Sequence, residues 1–526
     1  MKRMLWIVAA LVAVASPAYA LTDTELLDVI QHASFQYFWS EANPSNGLIR
    51  DRSQSGSPCS IAANGFGFSA ICIGIDHGWI TRAEGRARTL TTLQTFWNGP
   101  QGPSDTGTMG FKGLYYHFLN MNTGLREWSS ELSTIDTALL FAGILDAKQY
   151  FTTNDPDEIQ IRALADSIYF RADWEFMRNL GPGIRMGWKP VGGFAGFGTW
   201  IGYNEAMILY LLALGSPTHP VPASTWNTWT SGYSFQTLYG QSFVIFPPLF
   251  GHQYSHCWVD FRNAKDAYMT TKGLTYFENS RRATLAQREY CIANPSGWTG
   301  YGPNLWGLTA SDGPNNTYVA RGAPPAQNDT GTLTPTAPAS SIVFAPEVVL
   351  PALHNMYENY PLLWGPYGFR DAFNLSVGPN WYDTDYLGID EGPIVIMIEN
   401  YRTFGGVWDR FMMNDPIRVG MNRAGFIGLV GVEPPVAVKG GIELERVDPN
   451  PFHDQALVRY RVPAQGPVRI TLHDLAGRQV ADLVNRVESA GEHSVTLAGR
   501  NLANGVYFLR LSNGGQAVVR ACVKLH

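Results

Sequence analysis

Three features of the sequence predict an all-α toroid of paired helices over residues 21–432, followed by a small all-β sandwich over 441–526. Apolar residues recur with helical spacing through most of the first stretch. Long loops rich in Gly, Pro, Asn and Trp separate the helical runs, notably 181–203 and 294–340. After Glu433-Pro434-Pro435 the helical period gives way to short alternating strands. Paired helices with elaborate loops at one end leave inner helices lining a cavity. Loops of this length in a compact domain are usually functional.

The elements follow in order. Residues 1–20, MKRMLWIVAALVAVASPAYA, carry Lys2 and Arg3, then an apolar run from Met4 to Ala15, then the small-x-small site Ala18-Tyr19-Ala20. That is the pattern of a cleaved secretory signal, and the run is shorter than the ~20 residues a bilayer span needs. The mature chain is expected to start near Leu21, to lack a membrane span and to be secreted. Helices are expected at 22–39, 61–79, 82–97, 131–151, 157–178, 204–214, 257–292, 345–360 and 393–403. Residues 433–440 read as a linker. Strands are expected at 456–462, 468–472, 493–497, 506–511 and 517–519, punctuated by turns such as Asn504-Gly505 and Asn513-Gly514-Gly515.

Composition excludes several classes. With 45% hydrophobic and 16% charged residues, the 526-residue chain is neither a disordered tail nor a coiled coil nor a collagen-like fibre. The net charge of −6 becomes −8 without Lys2 and Arg3, and no basic stripe offsets it, so neither nucleic acid nor an acidic membrane is an expected partner. Aromatic residues make up 13% of the chain, which suits stacking on sugar rings and suits a large core equally well. The five cysteines, Cys59, Cys72, Cys257, Cys291 and Cys522, form no C-x-x-C pair. Cys59 and Cys72 could bridge in an oxidising compartment, with buried free thiols the equal alternative.

A secreted, acidic, aromatic-rich toroid points to a polysaccharide or oligosaccharide, and glycoside hydrolysis needs two carboxyl groups in opposite protonation states. Asp136 lies on or beside the apolar stripe of its expected helix, where an unpaired carboxylate is costly, so a role facing substrate is expected. Glu131 lies in the first turn of that helix, where a favourable charge on the helix dipole explains it as well as function does. Glu205 opens the apolar helix after Gly198–Asn204, with Trp200 and Tyr203 as neighbours that could desolvate it. Asp390 and Glu391 precede Pro393 at a helix start, where a cap is the plainer reading and an ionised general base the functional one. His252 and His256 have i,i+4 spacing, but no Glu follows His252, so no metal site is expected. Hydrogen bonding to sugar is the expected role of His256, Asp260 and Arg262. Arg288, Arg370 and Asp371 suit either sugar hydroxyls or ion pairs.

Several motifs together carry a family resemblance. They are Ser60-Ile61-Ala62-Ala63-Asn64-Gly65-Phe66-Gly67, Ser130-Glu131-Leu132-Ser133-Thr134-Ile135-Asp136, Gly202-Tyr203-Asn204-Glu205-Ala206, His252-Gln253-Tyr254-Ser255-His256 and Gly388-Ile389-Asp390-Glu391-Gly392-Pro393. Over most of 25–430 the chain resembles the bacterial glycoamylase-like domain, including glycoside hydrolase family 144, the β-1,2-glucanases. The resemblance implies an (α/α)6 barrel, inverting cleavage of β-1,2-glucan, Glu205 as general acid and Asp390 as base. It also implies Asp136 and Glu131 as cleft acids and no cofactor. Residues 441–526, with Asn450-Pro451-Phe452, Asp474-Leu475-Ala476-Gly477-Arg478 and Gly505-Val506-Tyr507-Phe508, resemble immunoglobulin-like C-terminal modules of secreted bacterial proteins, some of them sorting signals. A monomer is expected. The competing readings are an α-glucan hydrolase of glucoamylase type, a polysaccharide lyase and a non-catalytic glycan-binding protein.

Overall fold

The computed structural model describes residues 21–428 and 442–525, apart from 316, 463–465, 475–477, 490 and 514–515. The expected signal (1–20) and linker (433–440) therefore lie outside the described residues. The chain divides into two compact units, with the boundary between Gly428 and Leu429. No helix among the described residues is long and apolar enough to cross a membrane.

The framework of the first unit is helical: α1 (Asp23–Ser40), α2 (Ile61–Asp76), α3 (Arg82–Asn98), α4 (Thr134–Tyr150), α5 (Pro156–Phe170), α6 (Met207–Gly215), α7 (Tyr276–Ala293), α8 (Pro346–Asn359) and α9 (Gly388–Arg402). Capping boxes, Thr22 with Glu25 and Thr81 with Glu84, start α1 and α3. α2, α4, α6 and α9 are buried around nearly their whole circumference, so each must be enclosed by other elements. α3 and α5 bury one face only. α2 packs against α1, α3, α4 and α9, and α5 covers α3 and α4. Two glycines let α2 and α4 touch through backbone: a Cβ on Gly143 would lie 1.8 Å from the Gly65 carbonyl oxygen.

Several helix boundaries differ from expectation, each for a local reason. α4 starts at Thr134 rather than 131 because the Ser133 hydroxyl caps it, accepting from the Asp136 N–H. The run 157–178 breaks after Phe170, and Asp173 caps a separate short helix, Trp174–Arg178. The run 257–292 resolves into a 3-10 turn (Tyr254–Cys257), a helix capped by Asp266 (Ala267–Lys272) and α7, capped by Thr275. α6 starts at Met207, after Glu205, and α9 starts at Gly388, five residues before Pro393. The loops also fold two hairpins, Phe235–Leu238 with Gln241–Val244 and Ala310–Gly313 with Thr317–Ala320.

The second unit contains seven strands among the described residues: β1 (Glu443–Asp448), β2 (Gln455–Val462), β3 (Gly466–His473), β4 (Gln479–Glu488), β5 (Gly491–Ala498), β6 (Gly505–Asn513) and β7 (Gln516–Lys524). They form two antiparallel sheets, β1-β2-β5 and β4-β3-β6-β7. Val458, Tyr460, Ile470, Leu472, Leu509 and Leu511 share one core. β1 and β4 were not expected from the sequence: β4 is an edge strand, mostly exposed, and so lacks the alternation that marks a half-buried strand. All five cysteines are buried free thiols, so Cys59 and Cys72 are not bridged.

Candidate active site

Glu205 does not lie in a helical first turn as expected; it occupies the tight turn just before α6. Gly202, at φ +89°, turns the chain into it. Asn204 Oδ1 then accepts from the Ala206 N–H (3.0 Å) and the Trp229 indole (3.2 Å), while Ser255 Oγ donates to the Glu205 carbonyl (3.1 Å). Trp200 donates its indole N–H to Thr134 Oγ1 (3.0 Å), and Tyr203 is stacked among Trp229, His252 and Tyr276. Both rings are buried and brace the turn. Burial pushes the Glu205 carboxyl up to about 7, and the Asp136 charge pushes the same way, which marks these two acids as neighbours.

Asp136 is fixed by the start of α4, where Ser133 Oγ donates to its Oδ2 (2.5 Å). Glu131, expected in that helix, lies just before it in extended chain. The two acids flank His117, which stands 3.0 Å from Glu131 Oε1 through Nδ1 and 3.5 Å from Asp136 Oδ1 through Nε2. Burial alone would lower the imidazole's pKa; the charges of Asp136, Glu131 and Asp51, with the Glu131 hydrogen bond, outweigh it and raise it to about 9. His117 is therefore an imidazolium at neutral pH. Against partial burial, its hydrogen bond and charge hold Glu131 below the ordinary carboxylate value.

Asp390 sits in the first turn of α9, buried, with its carboxyl against that of Asp371. Pro393 lies inside this helix and has no N–H for the carbonyl of Ile389, four residues earlier. The Tyr254 hydroxyl donates to that carbonyl instead (3.1 Å). The expectation that the helix start keeps Asp390 ionised does not hold. Burial pushes it up to about 8, against a hydrogen bond with Asp371, and the Glu391 and Asp312 charges add to the rise. Burial and the facing Asp390 carboxyl raise Asp371 as well, so the two acids compete for one proton. Asp371 Oδ2 accepts from the Asp312 N–H (2.7 Å), and Arg52 joins Asp312 (2.8 Å), Asp51 (3.4 Å) and Asp385 (3.6 Å).

Tyr254 ties the halves together: its hydroxyl lies within electrostatic reach of both Asp390 and Glu205. Asp51 forms a second link, reaching His117 and Asp136 on one side and Arg52 on the other. On the 310–320 hairpin Tyr318 pairs directly with Asp312, and the Asp390 and Asp371 charges act on its hydroxyl. Among the described residues two sets of metal-ligating atoms occur, His117-Glu131-Asp136 and Asp312-Asp371-Asp383, with the atoms of each set within 4.8 Å of one another. In the first both imidazole nitrogens already face a carboxylate, contacts that a metal would have to displace. In the second, Arg52 already engages Asp312.

Other expected sugar ligands lie elsewhere. His256 is buried among Phe261, Phe277 and Phe344 and bonds Ser280 Oγ (3.1 Å). Asp260 and Arg262 pair with each other beside Trp408. Arg288 bonds the Pro303 carbonyl and Glu289. Glu391 is 1% exposed and turned toward Ser34 of α1, and burial raises its pKa strongly. Arg370 stands beside the acidic group, donating to the Asp383 carbonyl (3.2 Å). Sequence reasoning missed His117, Tyr254, Asp51, Arg52 and Asp312. Of these only Tyr254 carried a signal, lying between His252 and His256 in a motif already singled out.

Residues 198–415 match a glycoamylase family described as "Putative glucoamylase", and residues 446–524 match a secretion system C-terminal sorting domain. The chain is 32% identical over 446 residues to an exo β-1,2-glucooligosaccharide sophorohydrolase (non-reducing end) from Parabacteroides distasonis, covering 78% of this chain but only 59% of that relative's length. It resembles the crystal structure of a putative glucoamylase from Bacteroides uniformis (36% identity, 78% and 98% coverage, TM-score 0.71). It likewise resembles an endo-β-1,2-glucanase from Chitinophaga pinensis in complex with sophorotriose and glucose (31% identity, 78% and 99% coverage, TM-score 0.71).

Proposed function

The chain belongs to the glycoamylase-like family that contains the glycoside hydrolase family 144 β-1,2-glucanases, and on that premise we propose that it hydrolyses β-1,2-glucan or its oligosaccharides with inversion of configuration. The observation that supports this reading is the turn at Tyr254-Ser255: Tyr254 donates to the Ile389 carbonyl beside Asp390 (3.1 Å) and Ser255 to the Glu205 carbonyl (3.1 Å), so one turn holds the segments of both acids together. Glu205, raised to about 7, is protonated in slightly acidic to neutral solution and serves as the general acid for the leaving oxygen. Burial raises both Asp371 and Asp390, so the base acts from the fraction of molecules in which this pair has given up a proton. In the proposed step Asp390 takes a water's proton as that water's oxygen attacks the anomeric carbon. The glycosidic C–O bond breaks, and the leaving oxygen takes the Glu205 proton. Glu131, Asp136 and the His117 imidazolium bind sugar hydroxyls on the acid side.

An (α/α)6 toroid for the first unit, an immunoglobulin-like sandwich for the second, and a secreted monomer complete the reading. The C-terminal sorting match indicates export or surface localisation. Glu205→Gln and Asp390→Asn should each abolish release of reducing sugar from linear β-1,2-glucan while leaving the far-ultraviolet circular dichroism spectrum intact. Near-normal rates in both variants would eliminate the assignment. Starch as the preferred substrate would favour a glucoamylase-type hydrolase, and an unsaturated, ultraviolet-absorbing product would identify a lyase.

A further inference from the structure

We propose that Trp128 is a stacking platform for an outlying glucosyl ring, extending the cleft past His117 on the Glu131–Asp136 side. This rests on the glucan reading above. Residues 116–132 fold back on themselves through bridges Tyr116–Leu132 and Leu119–Arg126. At the tip the Ser130 N–H donates to the Glu127 carbonyl (3.0 Å), and the two central residues, Trp128 and Ser129, have φ of +54° and +50°. Those are the φ signs of a type I′ turn, whose centre Asn and Gly ordinarily fill. A bulky side chain at positive φ is an outlier. Strain of this kind clusters at ligand clamps and persists only where the surroundings enforce it.

The surroundings here do enforce it. The Arg126 side chain is 3% exposed, covers the Tyr116 ring (4.6 Å), and donates to the Ser130 carbonyl (2.7 Å) and Asp105 (2.5 Å). What the turn presents is Trp128, a residue 63% exposed. Its ring lies 5.1 Å from Phe118, which stacks at 3.9 Å on His117, the residue held by Glu131 and Asp136. An aromatic ladder thus runs from the surface to the acid side of the candidate site. A pyranose ring offers an apolar face of C–H groups that an indole can cover. Continuity with the site identifies the occupant as a further ring of the same oligosaccharide.

The test uses the full chain carrying Glu205→Gln, so that substrate binds uncleaved. Calorimetric titration with a linear β-1,2-linked trisaccharide and with a longer oligosaccharide of the same linkage gives the length preference. Adding Trp128→Gly should weaken the longer ligand about tenfold, leave the trisaccharide's affinity nearly unaltered and hold or raise the melting temperature, because glycine accepts positive φ without strain. Trp128→Phe, which keeps an aromatic face, should fall between. Equal weakening for both lengths, or none for either, overturns the platform alone. Failure of the Glu205→Gln parent to bind either oligosaccharide overturns the glucan reading, and the platform with it.

Discussion

At Glu205 two effects oppose each other, and burial wins. A charged carboxylate near a helix start is ordinarily favoured, yet the turn before α6 encloses this one, and its pKa rises from 4.5 to about 7. The folded chain therefore holds this proton more tightly than the unfolded chain does. Its contribution to stability is neutral below about pH 4.5, turns unfavourable as pH rises to 7 and stays so above. Glu205→Gln removes that cost, so the variant should melt with the parent near pH 4 and be more stable at pH 8 by about 1–3 kcal/mol. A variant less stable than the parent at pH 8 would contradict the shift. In the proposed mechanism the same proton bounds activity: kcat/KM should fall on the alkaline side, with a midpoint no lower than about 7, as the acid is lost. A midpoint near pH 4 would assign the limb to another group.

Between elements, the decisive contact joins the 254–257 turn to α9. Pro393 leaves the Ile389 carbonyl without its helical donor, and the Tyr254 hydroxyl supplies one. That carbonyl belongs to the residue before Asp390, so one hydroxyl both completes α9 and holds the acid in register. Tyr254→Phe should cost about 1–2 kcal/mol by leaving a part-buried acceptor unsatisfied and should lower kcat. Pro393→Ala restores a backbone donor at position 393. In that background Tyr254→Phe should cost measurably less, a coupling that a double-mutant cycle read by urea unfolding will detect. Additive effects would mean that the two groups do not share the carbonyl. The α2–α4 crossing gives a parallel case: Gly143→Ala pushes a methyl into the Gly65 carbonyl and should destabilise by about 1–3 kcal/mol.

At the scale of the whole molecule, the two units have separate cores and should unfold separately. Ile470→Ala, at a fully buried position of the second unit, should cost about 2–5 kcal/mol. It should lower only one calorimetric transition and leave glucan hydrolysis at 25 °C unchanged; a shift in both transitions would show one cooperative body. The sequence by itself determined the helix-rich first unit and the β-rich second one, because periods of 3.6 and 2 are local properties of the chain. It also marked three acids, Asp136, Glu205 and Asp390, each standing against an apolar run where a solvated carboxylate is out of place. Only the tertiary structure decided their company and charge. Asp136 is 69 residues from Glu205 and Arg52 is 260 residues from Asp312, so no local pattern could pair them. Even the 19 residues between Asp371 and Asp390 hid that pair, because the loop between them has no period that sets one acid against the other, and packing removed His256, Asp260, Arg262 and Arg288 from the group. A pKa depends on every charge and every ångström of burial around the group, and those are set only when remote segments pack.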